Sequence, residues 1–170
     1  DIFHLIIYML FHYYSPIGLI ETDIVDDAVE RLYFIDHEPD DENMLCNSPL
    51  PVAQVLYEWL DSYFEGESEF VERPLIRLGG TDFQLAVWRE IILIPYGEIW
   101  SYSDIAERLC KDETRARYLA RAVGMAAGRN PVWLLVPCHR VIGKNGRLYG
   151  YAGGVMRKAW LLCLESENTF

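Results

Sequence analysis

The stretch "SYSDIAERLCKDETRARYLARAVGMAAG" (residues 101–128) decides how this chain is read. Ser101 stands ahead of a short amphipathic run as a helix-capping residue does. The polar "CKDET" (110–114) breaks that run, and a second helix is expected over about residues 115–127. Two short helices joined by a tight turn, the second rich in arginine, make a helix-turn-helix pattern. An αα-hairpin with no nucleic-acid role is the plain alternative. On the second helix Leu119, Ala122, Val123 and Ala126 share one face and are expected to pack inward. Arg117, Arg121, Gly124 and Gly128 follow i, i+4, i+7, i+11 on another face, flanked by Ala120 and Ala127. An exposed helical glycine costs about 1 kcal/mol, so such a face implies close approach to something. A DNA minor groove about 6 Å wide would require small residues and one long cation.

Further on, "NPVWLLVPCHRVIG" (130–143) reads as a buried apolar strand over 132–136 that ends at Pro137 and delivers Cys138, His139 and Arg140 side by side. A free thiol with a pKa near 8.5 is only about 3% thiolate at neutral pH, and cations or a base lower that pKa. The basic surroundings of Cys138 are expected to do so, which makes it the reactive candidate. A buried structural cysteine is the other reading. Neighbours on a strand point to opposite faces. His139 therefore reaches the Cys138 sulfur only through a backbone bend, which Pro137 favours, or through a water. Glu165, near the end of "VMRKAWLLCLE" (155–165), is the candidate to orient His139, which could otherwise be a satisfied core histidine. Cys46, Cys110 and Cys163 lack comparable settings and are read as structural.

Toward the N-terminus, "GGTDFQLAVWREIILI" (79–94) places Thr81 before a helix and Gln84 three residues on, a capping-box spacing; "PYGE" (95–98) stops it. Val52, Val55, Leu56, Trp59, Leu60, Tyr63 and Phe64 recur at helical spacing, with Pro51 at the start and Gly66 past the end. "SPIG" (15–18) is a turn, and "LIET" (19–22) and "RLYFID" (31–36) are short strands. "HEPDDENMLCNSPLP" (37–51) reads as a polar connection. "DIFHLIIYMLFHYY" (1–14) lacks a basic n-region, a cleavage site and the roughly 18 apolar residues of a membrane span, so a strand is expected there too. The acidic stretch 65–72 suggests a linker, with a boundary near 75–80.

Composition is that of a soluble globular chain of one domain or two small ones: 170 residues, 51% hydrophobic, net charge −11. Charge alone would argue against nucleic acid, but its distribution does not. Residues 1–113 hold 6 basic and 24 acidic side chains, whereas 114–160 hold nine basic and no acidic ones. Such asymmetry points to a polyanion-binding face, a basic surface segment being the alternative. Four cysteines without CxxC spacing suggest a reducing cytoplasm.

"PCHRVIG" (137–143), preceded by "GRNP" (128–131) and followed by "NGRLYGYAGG" (145–154) and "RKAWLLCLE" (157–165), resembles the signature of the O6-alkylguanine-DNA alkyltransferases. "FQLAVWREIILIPYGEIWSYSDIA" (83–106) and "ARAVGMA" (120–126) resemble the family's preceding helices, and "YYSPIGLIE" (13–21) with "WLDSYFEG" (59–66) its N-terminal domain. The resemblance implies an α+β fold. A small sheet-plus-helix domain of ribonuclease H-like type (1–78) would precede a mainly helical domain with a winged helix-turn-helix-like motif (79–170). It also implies irreversible transfer of an alkyl group from O6 of guanine, and less efficiently from O4 of thymine, to the protein's own cysteine. Cys138 would be the nucleophile, activated through a water by His139, which Glu165 polarises. Tyr102 would assist nucleotide rotation and donate a proton toward the base, Arg121 would fill the gap in the duplex, and Asn130 would brace the turn below the recognition helix. Arg115, Arg117, Ser101, Gly124 and Arg140 would meet DNA. Val141, Tyr151 and the Ala152 amide would frame the base. Trp133 departs from the family pattern, a wide indole that either stacks on the base or narrows the pocket.

The implied partner is double-stranded DNA with an alkylated base, entered from the minor groove with the nucleotide flipped; no membrane is involved and a monomer is expected. No cofactor is expected, and no metal, since His4, His12, His37 and Cys46 form no familiar ligand spacing. Two further readings stay open: a non-catalytic binder of alkylated DNA, against which Cys138 speaks, and a Cys–His hydrolase, which would have no need of an arginine helix.

Overall fold

A computed structural model describes residues 7–39, 43–67 and 71–168. His4, part of the opening strand and part of the acidic linker lie outside them. The chain forms two compact units, Asp1–Leu78 and Gly79–Phe170.

In the first unit, β1 (Tyr8–Ser15), β2 (Gly18–Val25) and β3 (Ala28–Ile35) form an antiparallel meander in that order. Ser15 pairs with Gly18, so "SPIG" is a two-residue hairpin, and the glycine takes a φ of 126° that a side chain would resist. Strand alternation buries Phe11, Tyr13, Ile20, Ile24, Leu32 and Phe34. Tyr13 packs on Tyr57 and Phe64 and donates to Asp61, three residues of α1 (Pro51–Glu65). That helix starts at Pro51, which has no N–H to lose, and ends on Gly66 in the left-handed conformation (φ 85°). Its buried stripe is Val52, Ala53, Leu56, Trp59, Leu60 and Tyr63.

In the second unit, α2 (Asp82–Ile92) opens with a reciprocal capping box: Thr81 accepts from the Gln84 amide, and the Gln84 side chain accepts from the Thr81 N–H. Ser101 and Asp104 make the same box at α3 (Tyr102–Leu109). The next helix, α4 (Glu113–Gly128), begins earlier than hydrophobic spacing suggests, because the Asp112 carboxylate accepts from the N–H groups of Thr114 and Arg115. Ala116, Val123, Ala126 and Ala127 of α4 are buried, and Leu119 and Ala122 are half-buried. Ala127, expected beside the exposed face, thus belongs to the core. The buried Trp88 indole of α2 donates to the Ala126 carbonyl at 2.9 Å, tying α2 to the end of α4. A short parallel pair, β4 (Trp100–Ser101) with β5 (Val141–Ile142), and α5 (Val155–Glu167) complete the unit.

Residues 132–136 are not the expected strand. They coil: Val136 N–H donates to Val132 O and Leu135 N–H to Trp133 O, with Leu134 at φ 67°. Asn130 supplies what a sheet ladder would have supplied. Its Oδ1 accepts from Val132 N–H at 2.9 Å and its Nδ2 donates to Val136 O at 2.8 Å. No helix among the described residues is long and apolar enough to cross a membrane.

Candidate active site

Pro137 ends the coil, and Cys138–Arg140 form a single 3-10 turn, all three residues buried. This is the bend that lets neighbouring side chains serve one site, since successive residues of a 3-10 turn are not forced to opposite faces. Asn130 Nδ2 also lies 3.1 Å from Cys138 Sγ, while the Asn130 N–H donates to Ala127 O. One residue thus connects the thiol, through its side chain, to the end of α4, through its backbone.

Glu165 reaches in from α5 and is saturated. It accepts from His139 Nε2 at 2.6 Å, from Arg140 Nε at 2.8 Å and Nη2 at 3.1 Å, and from the Gly97 N–H at 3.2 Å. Burial alone would raise this carboxyl, but His139 and Arg140 outweigh it and hold it at about 2. An ionised carboxylate only accepts, so His139 Nε2 carries the proton and Nδ1 carries the lone pair. Burial lowers the His139 pKa despite the upward pull of Glu165, so the imidazole rests neutral. Arg140 also donates to Ile94 O at 2.7 Å. Expected at the DNA surface, Arg140 is instead a buried counter-charge to Glu165.

The expectation that cations activate Cys138 is not met in the free protein. Burial pushes the thiol up to about 11, against the smaller pulls of the Asn130 amide, the Lys158 ammonium and backbone N–H groups. Most of the basic residues of 114–160 face solvent, and Arg140 is spent on Glu165. Lys158 is the cation that does act, and sequence reasoning counted it only as surface charge. It is buried on α5, donating to Val141 O at 2.5 Å and Tyr149 O at 3.2 Å. Burial lowers its own pKa to about 8. Its place on the inward side of α5, three residues before Leu161 and seven before Glu165, is the signal that could have found it.

Around the thiol, Tyr102 is half-buried with its ring against Gly124, where an added Cβ would sit 3.6 Å from it. Burial and the Cys138 charge both raise the Tyr102 pKa. Ser101 spends its oxygen on the α3 cap. Val141 and Tyr151 are buried and Ala152 is exposed. Trp133 Nε1 donates to Asn130 O at 3.0 Å, and its ring lies 5.6 Å from that of Tyr151 at 46°. Arg115, Arg117 and Arg121 are exposed on α4, and Gly128 with them. The four cysteines are free thiols. Among the described residues no group of three or more His, Cys, Asp and Glu side chains could hold a metal.

Gly153 sets how closely its loop packs on Tyr151 and Trp133. A Cβ there would fall 2.5 Å from Tyr151 Cε1 and 3.0 Å from Trp133 Cζ3, and both rings are wedged. Gly153→Ala is therefore expected to destabilise the protein by about 1–3 kcal/mol, measured by urea titration, and to slow chemistry at Cys138 by displacing Tyr151.

Residues 82–167 match the family model described as 6-O-methylguanine DNA methyltransferase, DNA binding domain. A methylated-DNA–protein-cysteine methyltransferase of Mycolicibacterium paratuberculosis is 43% identical over 157 residues, covering 91% of this chain and 90% of the relative. One from Salmonella typhimurium is 46% identical over 144 residues, covering 84% and 79%. Among solved structures, the Mycobacterium tuberculosis O6-methylguanine methyltransferase superposes with a TM-score of 0.79 at 34% identity, covering 96% of both chains. The protein of that organism in complex with DNA gives 0.77 at 36%, covering 94% of both.

Proposed function

From the premise that this chain belongs to the methylated-DNA–protein-cysteine methyltransferases, we propose that Cys138 is its alkyl acceptor and that each molecule acts once. The protein is a DNA-repair transferase that removes an alkyl group from DNA directly. The observation that supports the residue assignment is the buried Glu165–His139 bond placed in the same 3-10 turn as Cys138, with a neutral imidazole next in the chain to a neutral thiol.

At a pKa of about 11, on the order of one thiol in 10⁴ is ionised at neutral pH, so deprotonation belongs to the reaction itself. His139 takes the proton, directly or through a water, and the Glu165 carboxylate stabilises the imidazolium that forms. The sulfur lone pair then makes an S–CH₃ bond as the CH₃–O6 bond breaks, and the electron pair of the broken bond stays on guanine. Tyr102 gives its proton to the base, and the proton held on His139 returns through water to Tyr102, so that thiol and methylated guanine become thioether and guanine with both side chains restored. The thioether left on Cys138 has no easy leaving group, which makes the transfer irreversible.

A base inside a duplex cannot meet the sulfur in line. The nucleotide is flipped at a cost of a few kcal/mol, α4 entering the minor groove with Arg121 replacing the lost stack and Arg115 and Arg117 near phosphates. Residues 79–170 carry both duties in this reading, and residues 1–78 are a separate, ribonuclease H-like domain. O4-methylthymine is a slower substrate, the protein acts as a monomer, and a reducing cytoplasm keeps its thiols free. Incubation with a duplex carrying one O6-methylguanine is expected to add one methyl mass to the Cys138 peptide and to no other cysteine peptide. An unmodified Cys138 in folded protein would refute the assignment.

A further inference from the structure

The Tyr151 hydroxyl oxygen is sealed from solvent and has no hydrogen-bond partner among the described residues. Most buried hydroxyls are paired, and an unpaired one is a standing cost to the fold. Nor can this one swing out to find water. Its ring is held by Trp133 at 5.6 Å, by the edge of His139 at 6.4 Å, and by the space that only the absence of a side chain at Gly153 leaves open. The residue is 7% exposed and lies close enough to the reacting thiol to feel its charge.

We propose that Tyr151 is a catalytic residue in its own right, its hydroxyl kept unpaired in the free protein so that it donates a hydrogen bond to the departing purine as negative charge develops on it. The inference rests on the alkyl-transfer reading above. It gives Tyr151 a role beyond framing the base, and the hydroxyl keeps its own proton throughout: it donates a hydrogen bond and transfers nothing. A donor already fixed in place needs no reorganisation when charge appears, and in a site sealed from water that charge has no competing solvent partner. The free protein carries the unpaired group; the transition state gains from it.

Opposite signs for stability and rate make the test decisive. Tyr151→Phe removes only the hydroxyl. Its Tm is expected to equal or exceed that of the parent, by up to roughly 2–4 °C for a chain of this size. At saturating duplex, single-turnover methyl transfer from O6-methylguanine is expected to slow by roughly tenfold to a hundredfold, the worth of one hydrogen bond to a charged acceptor. Methylation of Cys138 by methyl iodide, whose leaving group is no purine, is expected to proceed at the parental rate, followed on the Cys138 peptide. Purine transfer within about twofold of the parent overturns the inference and leaves the function standing. Equal slowing with both methyl donors also overturns it, since the hydroxyl would then act on the sulfur or on the fold. A parent protein that transfers nothing from the duplex removes the alkyl-transfer reading, and this inference with it.

Discussion

Glu165→Gln is expected to destabilise the second unit by about 3–5 kcal/mol, the usual cost of breaking a buried ion pair from one side. The amide keeps the shape and volume of the carboxyl but leaves the Arg140 guanidinium buried with no counter-charge. It also offers one acceptor oxygen where Glu165 satisfies His139, Arg140 twice and Gly97. Acid titration separates this charge from simple packing. The Glu165 carboxyl sits at about 2 in the fold against an ordinary 4.5, so it contributes stability above pH 4.5 that is lost as pH falls toward 2. The difference corresponds to about 3 kcal/mol. His139 acts in a different window. Burial keeps it neutral in the fold, whereas the unfolded chain binds a proton near pH 6.5, so its contribution begins to fall there. Urea titrations from pH 8 to 2 should show both limbs in the parent and only the upper one in Glu165→Gln. Persistence of the lower limb in the variant would mean that another carboxylate carries it. Methyl transfer should fall as well, because the imidazolium formed during deprotonation of Cys138 would have no carboxylate beside it.

How much of this could be read from residues alone divides along a physical line. Helix ends are local, and Thr81 with Gln84, Ser101 with Asp104, and Pro51 with Gly66 are legible because each cap is settled within a few residues. The meander is legible for the same reason: period-two alternation and a two-residue turn need no distant partner. Residues 132–136 mislead because their backbone is satisfied by a side chain, that of Asn130, and hydrophobic pattern says nothing about side-chain acceptors. Charge misleads for a related reason. Counting bases over 114–160 treats them as one field, yet Arg140 is neutralised by Glu165, Lys158 turns inward onto two carbonyls, and the exposed arginines of α4 are screened by water. What reaches the thiol is burial, so its pKa rises where cationic surroundings alone would lower it. The order Asn130, Cys138, His139, Glu165 is visible as residue types; the two hydrogen-bonded pairs they form, Asn130 with Cys138 and His139 with Glu165, are a product of the 3-10 turn and the register of α5.

Arg121→Ala is expected to slow repair of an O6-methylguanine duplex by roughly 10²–10³-fold, which is about 3–4 kcal/mol of barrier. Flipping a nucleotide breaks its stacking and its pairing, and a cation with a planar head inserted in the gap offsets part of that loss. Arg121 is exposed on the face of α4 that also carries Arg117, Gly124 and Gly128. The glycines would let the helix backbone approach, and Gly124 backs onto the Tyr102 ring, so Arg121 and the Gly124–Tyr102 contact share one helix. Substrate choice distinguishes this role from a structural one. Free O6-methylguanine needs no flipping, and any methyl transfer from it to Cys138 should be nearly unchanged in Arg121→Ala. Arg121→Lys should recover part of the duplex rate, since an ammonium supplies charge without a plane to stack. Arg115→Ala, by contrast, should weaken binding to all duplexes and reduce the salt slope by about one, leaving the rate at saturation intact. Full duplex activity in Arg121→Ala, or equal loss on the free base, would show that the residue is not the one that fills the gap.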